Sequence, residues 1–286
     1  MSWIGLKKAV NRAGTQIMLK TGQIEQTVDK EFEFEEKRFK TMEANSLALQ
    51  KRLRTYLDSL KLLTTSQIHI AELLNSFYGS DSSVPKVIED AKTGRSREAF
   101  QNLVGEYYNT LKRLNDECVN ELERPYNQTV LNPMSKFNSY YVEVNEAIKK
   151  RHNKLLDYDA MRNKLKKLLD TPQLEYANYD VKLKEYNEEL AELEHKYSDI
   201  NNQLKDELPK LINMRVAFFD PSFESFVKIQ LRFFNENYQQ LNALQSKLDA
   251  QAREDYIEGR LEERIDDVLD KMRMLDIAGN TNLCTS

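Results

Sequence analysis

Apolar residues recur at alternating steps of three and four over long stretches of this chain, with charged residues between them. The first stretch has apolar or aromatic residues at ten of the twelve positions Phe39, Met42, Ser46, Leu49, Leu53, Tyr56, Leu60, Leu63, Gln67, Ile70, Leu74 and Phe77. This spacing is typical of a helix in a coiled coil. Turn-forming residues follow at 79–85, so the pattern predicts a first helix over about 23–78, which is about 80 Å long at 1.5 Å per residue.

Two further stretches repeat this pattern. The second covers 97–169 and contains Pro125 and Pro133, which are expected to bend or break the helix because proline removes a backbone hydrogen bond. The third covers 173–250, follows a predicted reversal at 170–172, and is expected to bend near Pro209 or Pro221. The pattern predicts an elongated, kinked bundle of three antiparallel helices.

Composition supports an all-α fold. The 286 residues include 8 Gly and 6 Pro, against 42 Lys and Arg and 46 Asp and Glu, a balance that disfavours strand-rich folds. Cys118 and Cys284 have no spacing that indicates a disulfide or a zinc site, which favours a reducing, cytosolic location. No apolar run has the length of a membrane span or of a signal peptide.

The segment 251–286 is predicted to be an acidic, amphipathic helical tail with a disordered end after Gly279. Its apolar residues at helical spacing are Ile257, Leu261, Ile265, Val268, Met272 and Leu275.

The segment 1–22 predicts a short cationic amphipathic helix. Trp3, Leu6, Val10 and Ile17 share one face and Ile4 flanks it. The cations Lys7, Lys8 and Arg12 lie mostly on the rest of the circumference. Such a helix suits insertion at a membrane interface, and we expect it to fold there because a helix of this length is marginal alone. The alternatives are a helix packed on the protein's own body and a mitochondrial transit peptide, which would contain more Arg and Ser.

A second cationic region lies at 149–167, next to the predicted reversal and therefore near one end of the bundle. It contains eight bases, Lys149, Lys150, Arg151, Lys154, Arg162, Lys164, Lys166 and Lys167, against Asp157 and Asp159. With the leading helix it predicts a surface for anionic lipid headgroups. The alternative is an ordinary solvated helix face.

Three strings in this sequence resemble amphiphysin-type BAR domains. Residues 151–162, with Lys154-Leu155 before Asp157-Tyr158-Asp159 and then Arg162, resemble the family signature. The strings 54–57 and 207–219 are similar to segments of its first and third helices. The resemblance covers about residues 1–250. Because no Src-homology-3 domain is recognised in the sequence, the resemblance is strongest to short fungal proteins of the Rvs (reduced viability upon starvation) type.

This resemblance implies a crescent-shaped dimer, with residues 23–250 as the BAR domain and a leading helix that folds on lipid. It implies binding to curved membranes, with sensing or generation of curvature, during endocytosis at cortical actin patches on the plasma membrane. It also implies a longer paralogue with a Src-homology-3 domain as the partner in a heterodimer. We expect Asp157, Tyr158 and Asp159 to be structural, since acids would oppose binding to anionic lipid.

Other classes of function have less support in the sequence. The three histidines are isolated, and no phosphate-binding loop or hydrolase motif is present, so no catalytic, metal or cofactor site is predicted. The net charge of -4 argues against nucleic-acid binding. The main alternative is a coiled-coil cytoskeletal scaffold or linker that does not bind lipid directly.

Overall fold

The described chain is almost entirely helical. The computed structural model describes residues 3–22, 24–78, 97–171, 178–248 and 250–275, and no strand occurs among them. In chain order the helices are α1 (Trp3–Lys20), α2 (Lys30–Phe77), α3 (Arg97–Arg113), α4 (Asn120–Tyr126), α5 (Asn132–Leu169), α6 (Tyr179–Gln245), α7 (Ala250–Ile257) and α8 (Arg260–Arg273). The predicted all-α class is confirmed.

The long helices differ from the sequence prediction mainly at their ends. α2 begins at Lys30 and not near residue 23, because Asp29 caps it: the Phe32 N–H donates to Asp29 Oδ1 at 3.0 Å. α6 begins at Tyr179 and ends at Gln245, within the predicted 173–250. The predicted turn at 79–85, Pro172 of the reversal at 170–172 and the disordered end after Gly279 lie outside the described residues.

Prolines do not break the helices. Residues 97–169 are helical throughout, but π-helical segments lie at Leu114–Val119 and Asn127–Leu131, on either side of α4, which contains Pro125. The second segment precedes Pro133, near the start of α5. A wider π turn changes the hydrogen-bond register where proline supplies no N–H. α6 continues through both Pro209 and Pro221.

The chain divides into two compact units. The first comprises residues 1–59 and 123–229, and contains α1, the start of α2, α5 and most of α6. Phe39 of α2 packs on Tyr141 of α5, and Tyr56 of α2 packs on Tyr126 of α4, so α2 runs antiparallel to the continuous helical segment that contains α4 and α5. The buried core of this three-helix bundle includes Phe32, Phe39, Phe137, Tyr141, Ile148, Leu204, Leu208 and Ile212.

The second unit comprises residues 60–122 and 230–286. Ala71 of α2 packs on Leu111 and Leu114 in a small buried cluster. Two stripes of apolar side chains at helical spacing stay exposed in this unit, and we call them the apolar stripes. They comprise Leu63, Ile70, Leu73 and Phe77 on α2, and Leu231, Phe234, Tyr238 and Leu241 on α6. Such a concentration of exposed apolar surface marks a site for a partner.

Candidate membrane-binding site

The leading helix α1 is held on α5 by a two-bond ion pair. Arg12 donates from Nε to Asp157 Oδ1 at 2.8 Å and from Nη2 to Asp157 Oδ2 at 2.6 Å. Thr15, one turn further along α1, is buried. Paired bonds between a guanidinium and a carboxylate fix orientation as well as distance. Arg12, predicted to bind lipid, is therefore already engaged within the protein.

The apolar side chains of α1 point away from α5. Trp3 is 81% exposed, and Val10 and Ile17 are each 64% exposed. The side chains of Ile4, Leu6, Lys7 and Lys8 lie outside the described residues. α1 is helical in the intact protein, where it packs against α5. That the isolated segment gains its helix on anionic vesicles stays a prediction.

The lysines predicted to bind lipid lie on α5 around the contact with α1. Lys149, Lys150, Lys164, Lys166 and Lys167 are exposed, and Lys154 is half-buried. In the described chain only Lys149 among these six has an ion-pair partner, Glu146 at 3.7 Å. Arg162 is half-buried and donates to the Glu25 carbonyl at 2.8 Å, which ties the segment before α2 to α5.

Arg151 does not belong to this exposed set. Its side chain is buried, with Nε donating to Asn201 Oδ1 at 2.9 Å and Nη2 donating to the Tyr197 hydroxyl at 3.1 Å. The guanidinium carbon lies 3.8 Å from the centroid of the Phe32 ring. The prediction that Arg151 binds lipid headgroups is wrong, because the side chain is used to join α2, α5 and α6.

Asp29 completes the polar network around Arg151. Asn201 Nδ2 donates to Asp29 Oδ2 at 2.7 Å, and Lys205 Nζ lies 3.6 Å from the same oxygen. Desolvation acts to raise the pKa of Asp29, but the hydrogen bonds from Asn201 and the Phe32 N–H, with the charges of Lys205 and Arg151, lower it overall. Asp29 is therefore ionised at neutral pH and balances the buried guanidinium.

We expect Arg151→Leu to destabilise the fold by about 3 kcal/mol, because two hydrogen bonds of a charged group and a cation–π contact are lost. Lys150→Leu, one residue away and exposed, is the matched control and should change the free energy of unfolding by less than about 0.5 kcal/mol. Urea unfolding of both variants measures the difference. If the two variants were equally stable and only Arg151→Leu lost binding to vesicles, the result would show that Arg151 binds lipid.

The signature string at 157–159 is structural, as its acids and spacing indicated. Asp159 is fully buried and accepts hydrogen bonds from the Thr27 hydroxyl at 2.6 Å and the Thr27 N–H at 3.2 Å. Tyr158 stacks on Tyr197 with ring centroids 5.9 Å apart. The contacts of Asp157 with Arg12 and of Asp159 with Thr27 attach the beginning of the chain to α5, and the Tyr158 contact joins α5 to α6.

Comparison with known proteins agrees with this arrangement. The BAR domain family pattern matches residues 6–250. The chain belongs to the BAR domain family. It is 57% identical to the RVS161-like protein RVS162 of Candida albicans, in a match that covers 97% of this chain and 98% of the relative. It is 41% identical to the regulator of cytoskeleton and endocytosis RVS161 of the same species, with 97% and 98% covered.

A solved BAR domain supports the same fold. The amphiphysin BAR domain from Drosophila matches 80% of this chain and 96% of its own, with a TM-score of 0.52 and 22% identity. At that identity the match concerns the fold alone. In this BAR protein, none of the described helices is long and apolar enough to span a bilayer.

Proposed function

We propose that this protein binds anionic membranes and senses or generates their curvature in endocytosis, as a peripheral protein of the plasma membrane at cortical actin patches. In this role it uses neither catalysis nor a cofactor and binds no nucleic acid. Its family membership and the name of the 41% identical relative, a regulator of cytoskeleton and endocytosis, support the setting.

The observation that carries the proposal is the contact between α1 and α5. The pair between Arg12 and Asp157 joins an outward apolar face to the middle of the lysine-rich segment 149–167. Apolar side chains at the acyl boundary and cations at anionic headgroups are the two components of interfacial binding. Two elements about 145 residues apart in sequence thus act as one membrane site.

In this proposal α1 is a wedge held at a fixed place on the body before it meets the bilayer. The polar side of α1 contacts α5 and its apolar side is exposed, so α1 can insert into the bilayer without leaving α5. Trp3, Val10 and Ile17 enter the acyl boundary, with Ile4 and Leu6 completing the apolar face. Lys7 and Lys8 contact headgroups together with Lys149, Lys150, Lys154, Lys164, Lys166 and Lys167.

Co-sedimentation with vesicles separates this function from that of a cytoskeletal scaffold without lipid binding. We expect the protein to pellet with vesicles of anionic phospholipid and not with vesicles of neutral phosphatidylcholine. Binding should weaken as the salt concentration rises from 50 to 300 mM, because salt screens the attraction between exposed charges. At 0.1 M salt the screening length is about 10 Å. Equal recovery in the supernatant with both kinds of vesicle would favour the scaffold.

Tryptophan fluorescence tests the wedge directly, because Trp3 is the single tryptophan of the chain. We expect its emission to shift to shorter wavelength with anionic vesicles, and the shift to be lost in the Val10→Asp/Ile17→Asp variant, which places two charges on the apolar face. The control is Gln16→Asp, which adds a carboxylate at an exposed position off that face. An unchanged shift in the double variant would show that α1 does not insert.

We also propose that the functional form is a dimer formed through the apolar stripes of the second unit. The partner is a second copy or a longer paralogue with a Src-homology-3 domain, and the family's crescent shape would follow from the pairing. The support is the exposure of eight large apolar side chains at helical spacing on α2 and α6. Actin-patch and endocytic proteins are further expected partners.

A further inference from the structure

A groove of about 560 Å³ lies between α2 and α6, entirely within the first unit. Its apolar lining consists of Phe34, Met42 and Leu49 from α2, and Ile212 and Phe219 from α6. Phe34 is 61% exposed and Leu49 is 47% exposed. The groove therefore presents apolar surface that the three-helix bundle does not cover, and such surface marks a binding site.

The charged side chains at the groove are all basic. Lys37 and Arg38 line it from α2 and Arg215 lines it from α6, and no acid is among the described residues of the lining. Arg38 is neutralised by Glu35, whose two carboxylate oxygens are each 2.9 Å from Nη1. Lys37 and Arg215 are exposed and have no ion-pair partner in the described chain. Two unbalanced positive charges thus lie beside the apolar lining.

The shape and charge of the groove indicate what can fill it. Its α2 side extends from Phe34 to Leu49, which is about 22 Å, or about 15 residues of a helix. An open groove between two helices is a common receptor for an amphipathic helix that inserts apolar residues at steps of three and four. Because opposite charges across an interface favour a complex and like charges oppose it, Lys37 and Arg215 select a helix with acids beside its apolar face.

The described helices of this chain do not offer such a face. Exposed apolar side chains recur at helical spacing on α1, on the apolar stripes and on α8. α1 has four bases and no acid, and the stripe segments 60–77 and 230–241 each have one base and one acid. α8 has five acids against four bases, and its Asp270 is paired with Arg273 at 2.7 Å. Charge therefore favours an occupant from a different protein.

We propose that the groove between α2 and α6 binds an acidic amphipathic helix of another protein, with the apolar face of that helix on Phe34, Met42 and Phe219 and its carboxylates at Lys37 and Arg215. α5 supplies none of the described lining, because it lies across the three-helix bundle from the groove. Its exposed lysines face away from α2 and α6, so the groove stays open when they contact a membrane. Only this last point rests on the proposed membrane binding.

A synthetic peptide tests the contact with the full-length protein in the absence of lipid. The probe is a dye-labelled 15-residue peptide with leucine at steps of three and four and glutamate at the flanking positions, and fluorescence anisotropy measures its affinity. We expect Lys37→Glu/Arg215→Glu to weaken binding at least tenfold. Lys136→Glu/Lys228→Glu, which makes the same change in net charge at exposed sites outside the groove, should leave the affinity within twofold.

The apolar lining has its own matched pair of variants. Phe34→Asp should weaken binding of the peptide at least fivefold. Leu47→Asp, at an exposed position on the opposite side of α2, should leave the affinity within twofold. No binding of the peptide, or an affinity that neither groove variant lowers, would overturn the proposal. Circular dichroism of all four variants should match that of the parent, since every substituted side chain is exposed.

A version of the peptide with lysine in place of glutamate tests the role of charge. It should bind Lys37→Glu/Arg215→Glu more tightly than it binds the parent, and an equal or weaker affinity for the variant would overturn the proposal. With anionic vesicles, the acidic peptide should pellet together with the parent protein. Release of the peptide by vesicles that pellet the protein would make lipid the occupant of the groove and overturn the proposal. The measurements without lipid decide the contact whether or not the protein binds membranes.

Discussion

The Phe234→Asp/Tyr238→Asp variant is expected to be a folded monomer at micromolar concentration, whereas the unmodified protein sediments as a dimer, alone or with a paralogue. Phe234 is 54% exposed and Tyr238 is 67% exposed in the single chain, so the substitutions do not disturb its core. In a symmetric dimer they place four carboxylates in an apolar interface. Removing an unpaired charge from water costs several kcal/mol. The four carboxylates together therefore cost about 10 kcal/mol or more, which is comparable to the whole binding free energy of a nanomolar dimer.

The control for this prediction adds the same carboxylates beside the stripe. Asn235 and Gln239 are exposed and directly follow the two stripe residues, but they lie on a different side of α6. Asn235→Asp/Gln239→Asp should therefore sediment as a dimer. Circular dichroism should be the same for both variants, and a dimer that survives in the stripe variant would exclude α6 as the interface.

The sequence predicted the helices well because their pattern is local. Steps of three and four report one face of a helix, whatever that face contacts. The spacing could not show which apolar residues of α2 are buried against the chain's own helices and which remain exposed for a partner. Phe39 and Leu60 are buried within the chain, whereas Leu63, Ile70 and Phe77 of the same series are exposed. The difference depends on which helices lie beside α2, which is long-range information.

The candidate site was predicted only in part, for the same reason. Arg12 and Asp157 are 145 residues apart, and nothing local to either one indicates the pair. Arg151 did carry a signal: it falls between Ile148 and Leu155 at steps of three and four, where an apolar residue is expected. A base at such a position indicates a buried, hydrogen-bonded guanidinium more than a lipid ligand, and the Tyr197 and Asn201 contacts follow that rule.

The prolines show a different limit of prediction from sequence, which concerns whether a helix continues past them. Their effect on a helix depends on whether the backbone can change its turn nearby, and π-helical segments on both sides of α4 provide that change. No residue type marks a π turn reliably. The helix therefore continues where proline chemistry alone predicts a possible break.

The Lys164→Glu/Lys166→Glu/Lys167→Glu variant is expected to bind anionic vesicles at least about tenfold more weakly at low salt. All three lysines are exposed and without an ion-pair partner in the described chain, so their substitution changes the surface charge by six units per protomer without removing a contact. Each base near an anionic leaflet contributes about 1 kcal/mol, and a tenfold change in affinity is about 1.4 kcal/mol. Even if half of these side chains face away from the bilayer, the loss in a dimer exceeds that threshold.

Three lysines of α6 provide the matched control. Lys184, Lys210 and Lys228 each pair with an acid four residues away, so their charge is already balanced. Lys184→Glu/Lys210→Glu/Lys228→Glu makes the same change in net charge and should reduce binding less than threefold, with both variants unfolding at temperatures close to that of the parent. Equal losses in the two triple variants would mean that net charge alone decides binding. Full binding of the α5 variant would mean that α1 holds the membrane without the lysines beside it, because the apolar face of Trp3, Val10 and Ile17 is unchanged in both.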